Sequence, residues 1–336
     1  MTVRFSYERE RPVGEQIPIL KPLHTAFHGA AITGMDVCLR KQLVVTCSQR
    51  HINIWNYHTK TLEINHECNP GEDTAAVAFH PSGFHVVVAF QDKIQFMNVL
   101  SNKLVGYHDQ QLKNCREIRF SNGGHMFAAA HGPGSINIYN FYTQECPANM
   151  SCKGHNQKVR SIEWYENDMG FTSCGMDGNV FFYDLQKQKE EMTRNSEKDF
   201  TQKGVTFTGL TNIPGCEHNA LVVGNDRHIW RTADSSDKTS CDAKAILTQV
   251  AYLASGKAFF AGTGEENRPG CIQIWKSTLE KICEIQAHGR SVERMRISFD
   301  NNYLFTAGRD GTLIIYDIKD RDPRGGVIKR DFGGVL

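Results

Sequence analysis

Apolar residues recur at every second position through many short stretches of this chain. Residues 52–55 read Ile-Asn-Ile-Trp, 136–139 read Ile-Asn-Ile-Tyr, and 272–275 read Ile-Gln-Ile-Trp. A period of two sends alternate side chains to opposite faces of an extended strand, so each stretch predicts a β-strand with one face turned to a core. Upstream lie runs with almost no polar interruption, among them Leu43-Val44-Val45-Thr46-Cys47 and Ala220-Leu221-Val222-Val223-Gly224. These runs are short, β-branched or aromatic, and bounded by turn-forming residues, as buried middle strands are. No long segment carries a helical period.

Seven strand endings join a bulky apolar residue to a polar one: Trp55-Asn56, Met97-Asn98, Tyr139-Asn140, Tyr183-Asp184, Trp230-Arg231, Trp275-Lys276 and Tyr316-Asp317. Their successive separations are 42, 42, 44, 47, 45 and 41 residues. Four-stranded propeller blades leave this interval, which predicts an all-β, seven-bladed propeller. A closed ring of repeats is one unit even at 336 residues, a length that otherwise suggests two or three domains. Residues 17–20, Ile-Pro-Ile-Leu, precede His28 by about the distance at which Leu279 precedes His288. They are expected to supply the outermost strand of the last blade, closing the ring and covering its edge. The expected layout is therefore a closing segment at 1–26, the propeller at 27–318, and a linker-like tail at 319–336 containing Pro323 and two Gly pairs. The polar stretch 186–203 accounts for the 47-residue interval and is expected to be a mobile loop.

Composition narrows the function classes. The net charge is +1 with both signs interspersed, so no surface-wide field draws nucleic acid or anionic lipid. No apolar run is long enough for a membrane span, and the strongly charged start does not read as a signal peptide. Eleven cysteines without a C-x-x-C pair, several inside strand-like runs such as Cys38, Cys47, Cys115 and Cys174, suit reduced, buried thiols in a reducing compartment.

The most specific polar pattern repeats. His155, Ser173, Asp177 and Tyr183 form one set; His288, Thr306, Asp310 and Tyr316 form another. His-to-Asp spacing is 22 and Asp-to-Tyr spacing 6 in both. With these residues the chain resembles the WD-repeat family. The resemblance places each Asp in a tight turn accepting from the His, and each His against a hydroxyl that meets the ring at the strand end. A nucleophilic Ser–His–Asp triad is the rival reading. It is set aside because the pattern recurs per repeat and lacks a strained nucleophile turn such as G-x-S-x-G. Other repeats are degenerate: Gln49 stands where the first would carry its turn Asp, Asp92 and Asp226 survive, and His28 and His108 keep the leading His in the first and third. No cofactor is implied, because Gly256-Lys257 lacks the leading Gly of a phosphate loop. His24 and His28 have metal-ligand spacing only on a helix.

Longer phrases carry a narrower resemblance. "FHPSGFHVVVAFQDKIQFMNVL" (79–100), "CREIRFSNGGHMFAAAHG" (115–132), "KGHNQKVRSIEW" (153–164) and "DRDPRGGVIKRDF" (320–332) are similar to the second propeller of the cilia- and flagella-associated protein fifty-seven family. The resemblance implies a non-enzymatic scaffold of the motile ciliary axoneme, located at the base of inner dynein arms, with axonemal and doublet-associated partners. A general cytoplasmic WD-repeat adaptor, such as a ubiquitin-ligase substrate receptor, shares every repeat feature and is the alternative. Lys158, Arg160, Arg290 and Arg309, beside the repeat turns, are the candidate partner contacts, since Arg is enriched at binding hot spots.

Overall fold

The computed structural model describes residues 28–186, 191–232 and 239–318, together with the backbone of Val3–Ser6 and Ile19–Pro22. From residue 34 onward the strands fall into seven antiparallel sheets in chain order. The first joins Gly34–Val37, Leu43–Ser48, His51–Asn56 and Thr61–Glu67. Each sheet is a meander running outward from its first strand. The innermost strands pack side by side in sequence, and Val292–Ile297 of the seventh sheet returns to lie beside Gly34–Val37 of the first. The sheets are therefore the blades of a closed seven-bladed ring, as the interval between strand endings predicts.

The uninterrupted apolar runs are explained by this arrangement. In the second blade, Val86 and Val88 pack into the wedge shared with the first blade, whereas Val87 and Ala89 pack into the wedge shared with the third. Leu221 and Val223 alternate with Ala220 and Val222 in the same way. A middle strand is buried on both faces, so both phases of its alternation are apolar except where a hydroxyl such as Thr46, Ser173 or Thr306 finds a buried hydrogen-bond partner. Among the described residues, seven hydrophobic clusters fill the seven interblade wedges.

The closing seam differs from expectation. The seventh blade has three strands among the described residues, Val292–Ile297, Tyr303–Gly308 and Leu313–Asp317. Ile19 and Leu20, expected on its outer edge, instead pair with Ser6 and Phe5 in a separate two-stranded ladder. Ile17, Pro18 and the tail 319–336 lie outside the described residues. Pairing with a nearby segment closes a far shorter loop than pairing with a strand at the other end of the ring, and so costs less chain entropy. Packing joins the seam: Ile32, Met35 and Val44 meet Phe305 and Ala307, and the Tyr57 ring lies 5.1 Å from that of Phe305. Gly311 adds a backbone contact. Its φ is +80°, and a Cβ there would lie 2.3 Å from the carbonyl oxygen of His28, so only glycine fits.

The polar stretch 186–203 is also corrected. It is not simply a loop but supplies two pieces of outer strand, Glu191–Arg194 and Phe200–Thr201, both paired with Asn179–Gln186. Met192 and Phe200 are its buried anchors. Residues 187–190 lie outside the described residues.

Candidate interaction site

The chain runs alternately up and down through each blade, which gives the disc two distinct faces. The upper face carries the loops that lead into innermost strands and the turns between second and third strands. The lower face carries the turns after the innermost strands. The two repeated polar sets lie at the upper face. His155, with its side chain fully buried, is 3.0 Å from Asp177 Oδ1 through Nδ1 and 2.8 Å from Ser173 Oγ through Nε2. Because the carboxylate can only accept, Nδ1–H donates to it and Nε2 accepts from the serine. Asp177 also accepts the backbone N–H groups of Asn156 and Asn179. Burial alone would raise the Asp177 carboxyl; the hydrogen bonds from His155 and the backbone outweigh it and hold the group well below the usual carboxylate range. His288 is tied in the same way to Thr306 at 2.9 Å and, on its other nitrogen, to Thr312 at 2.8 Å and Asp310 at 3.3 Å. Both sets fix a leading loop to a turn and a strand. Each hydroxyl's role is thus to satisfy a buried imidazole.

Tyr183 and Tyr316 do not join these sets. Tyr183 is stacked on Phe171, with ring centroids 4.8 Å apart, and its buried hydroxyl has no hydrogen-bond partner. Tyr316 packs in the wedge between the sixth and seventh blades. A phenolic oxygen sits at the far end of its ring, whereas an indole N–H projects from the side, so the tyrosines cannot stand in for tryptophan here. Each strand-end tryptophan uses its indole N–H, but only Trp55 meets the strand hydroxyl: Trp55 Nε1 donates to Thr46 at 3.0 Å, whereas Trp230 donates to the Asp226 carboxylate at 2.6 Å and Trp275 to the Gln273 side chain at 3.3 Å. The first blade in fact holds a complete chain that the missing Asp concealed. His28 Nε2 is 2.7 Å from Thr46, and Ser48 occupies the other nitrogen in place of a carboxylate. The signal was available, since His28 precedes Thr46 by the same 18 residues that separate His155 from Ser173. His108 instead lies on the outermost strand of the second blade, against Phe96.

Along the axis the structure assembles a charge network that the sequence reading missed. Arg119 pairs with Asp36 and, at 3.2 Å, with Glu163. Glu163 also accepts from Arg296 at 3.4 Å, and Glu117 pairs with Arg294 at 3.2 Å and Arg296 at 3.8 Å. These side chains come from the innermost strands of the first, third, fourth and seventh blades, so the pairs span the channel. Burial works against the Arg119 charge, but the carboxylates of Glu163, Asp36 and Glu117 overcome it and raise its pKa. For Arg296 burial prevails, aided by Arg119, and the pKa falls. The local trace was charge at alternate positions in otherwise apolar strands: Glu117 and Arg119, then Arg294 and Arg296.

Three candidate contacts, Lys158, Arg290 and Arg309, are exposed on the upper face. Arg160 is not among them. It sits in the innermost strand Val159–Trp164 next to a bulge, half-buried, near Arg294, Glu117 and Glu293. At the lower face the channel opens into a cavity of about 190 Å³ above the Asp36–Arg119–Glu163–Arg296 floor. A second cavity of about 400 Å³, lined by Tyr165, Asn212 and Tyr252, adjoins it through Glu163 and Trp164.

The WD domain, G-beta repeat model matches residues 146–184 and 279–317, the two segments that carry the full Asp–His–hydroxyl sets. The chain is a WD-repeat β-propeller. It is 39% identical, over 90% of its length, to Cilia- and flagella-associated protein 57 A of Tetrahymena thermophila, covering 26% of that protein. Against Cilia- and flagella-associated protein 57 of Mus musculus it is 35% identical over 93% of its length, covering 24% of the mouse protein. A 77 kDa echinoderm microtubule-associated protein of Strongylocentrotus purpuratus is 24% identical over 87% of the chain, with 40% of that relative covered. The WD-repeat chain thus spans about a quarter of the length of its ciliary relatives.

Proposed function

We propose that this propeller is a non-enzymatic protein–protein interaction scaffold of the motile ciliary axoneme, located at the base of inner dynein arms and supporting their assembly or regulation. The observation that carries the reading is the similarity, over nine-tenths of the chain, to relatives named for cilia and flagella. The site chemistry supports the scaffold role: the residues that most resemble a catalytic triad are spent on holding loops to strands. Function then resides in the shape and charge of the two faces. The exposed Lys158, Arg290 and Arg309 are proposed contacts on the upper face.

The test is location followed by extraction. A tagged protein expressed in a ciliated cell should co-purify with axonemes and resist moderate salt, and its loss should reduce inner-arm dynein on isolated doublets. A diffuse cytoplasmic signal absent from salt-washed axonemes would refute the axonemal reading in favour of a general adaptor. Retention with unchanged inner-arm content would refute the dynein assignment alone.

A further inference from the structure

The larger lower-face cavity, about 400 Å³, is walled by the turns of the fourth, fifth and sixth blades, and its lining joins aromatic rings to unbalanced charge. Trp164 and Tyr252 supply two of the rings. Each is braced by its own blade, Trp164 by Phe171 at 5.4 Å between centroids and Tyr252 by Phe259 at 5.6 Å, so the wall is in place before anything enters. Three carboxylates line the cavity, Glu163, Glu166 and Glu217, and among the described residues no lysine, arginine or histidine does. Glu163 is taken up by Arg119 and Arg296. Glu166 and Glu217 are exposed and have no ion-pair partner among the described residues; Glu217 accepts a neutral amide N–H from Asn167 at 2.7 Å.

The cavity also sits where the lower face is least tied together. Neighbouring turns are bridged by hydrogen bonds such as Asn122 to Asp168 between the third and fourth blades, Asn167 to Glu217 between the fourth and fifth, and Ala254 to Asn301 between the sixth and seventh. Among the described residues no such bond joins the turn of the fifth blade to that of the sixth. A side chain entering there displaces no native contact.

We propose that this cavity docks a basic segment of a partner protein, with an arginine side chain lying against the aromatic wall and its guanidinium paired with Glu166 and Glu217. Charge complementarity selects the occupant. An acidic segment would meet two uncompensated carboxylates, and a purely apolar one would take them out of water without a partner. A guanidinium satisfies both halves of the lining, because its plane stacks on a ring while its edge donates to carboxylates. The inference rests on the scaffold reading but not on the ciliary location, and it concerns the face opposite Lys158, Arg290 and Arg309.

Fluorescence anisotropy with the purified chain tests it. The probe is a fluorescein-labelled peptide of alternating glycine and arginine, compared with the same peptide carrying citrulline, which keeps the shape of arginine without its charge. The arginine peptide should bind saturably, and the citrulline peptide roughly tenfold or more weakly. A combined Glu166→Gln, Glu217→Gln variant should bind the arginine peptide roughly tenfold more weakly, while glutamine still offers Asn167 an acceptor. Tyr252→Leu, with its urea midpoint measured alongside, should weaken binding by roughly fivefold through loss of the ring face. A combined Glu63→Gln, Glu67→Gln variant removes the same charge from the exposed outer strand of the first blade and should bind as the parent does. Equal binding of the two peptides, undiminished binding by the Glu166, Glu217 variant, an equal loss in the first-blade variant, or no binding at all would each overturn the proposal. Axonemal retention of the parent chain alongside a failed peptide assay would reject this surface and leave the scaffold reading standing.

Discussion

Replacing Tyr183 by Phe should stabilise the protein, contrary to what the WD-repeat resemblance implies. The ring is 2% exposed and stacked on Phe171, and its hydroxyl has no partner, while Ser173 is already bonded to His155. An unsatisfied buried hydroxyl costs about 1–3 kcal/mol relative to an apolar group of the same shape. Removing one oxygen opens a void too small to cancel this, so the expected gain is about 1 kcal/mol or slightly more. Equilibrium urea unfolding followed by tryptophan fluorescence, under reducing conditions, should show a higher midpoint with an unchanged slope. The stricter test is a double-mutant cycle with Ser173→Ala. Ser173→Ala alone should destabilise by about 1–3 kcal/mol, because it strands the buried His155 nitrogen. The coupling between the two changes should be within about 0.5 kcal/mol of zero if no Tyr–Ser bond exists. A lower midpoint for Tyr183→Phe, together with a coupling above about 1 kcal/mol, would refute the reasoning and restore the tyrosine to the network.

Further outcomes follow from the same geometry. Gly311→Ala should destabilise by about 2 kcal/mol or more, from the left-handed backbone and the clash with the His28 carbonyl, whereas Gly29→Ala, with open space around it, should change the urea midpoint little. Arg119→Met should cost about 3–5 kcal/mol because Asp36 and Glu163 are left without their shared counter-charge; a neutral result would show that the channel network relaxes onto water. Stability should decline as pH falls from 6.5 towards 4. Burial, with smaller help from His51 and His85, holds His28 and His80 at about 4, so below 6.5 the unfolded chain binds protons that the folded one does not. Asp177, with its pKa depressed on folding, contributes stability above the ordinary carboxylate range that is lost as the solution becomes more acidic. Asp177→Asn should therefore lower the midpoint at pH 7 and flatten the acid limb, and parallel limbs for parent and variant would contradict that assignment.

The ring was legible in the sequence because it depends on local signals: strand alternation, turn residues and a period set by blade size. The paired positions of His155 and Asp177 were legible for the same reason, since an equivalent spacing occurs at His288 and Asp310. What escaped was set by geometry at the scale of single atoms or by partners distant in the chain. Nothing near Tyr183 announces that a phenol oxygen misses a serine that an indole nitrogen would reach. Ser48 could not be recognised as a substitute for a turn Asp until His28 was seen between it and Thr46. Arg119 and Asp36 are 83 residues apart and Arg294 and Glu117 are 177 apart, so neither pair leaves a local pattern beyond charge in an apolar strand. The expected last strand failed for the opposite reason: a matched interval ignored a nearer partner at Val3–Ser6.

Because alternate residues of each middle strand serve two wedges, no blade of this ring resembles the terminal repeat of a linear array. Releasing one blade breaks two seams at once, so fraying from an end, the cheapest excursion of an open solenoid, has no counterpart here. A recognition surface laid across several blades inherits that stiffness. Its groups are held in register before any partner arrives, and little ordering entropy is left to be lost on contact.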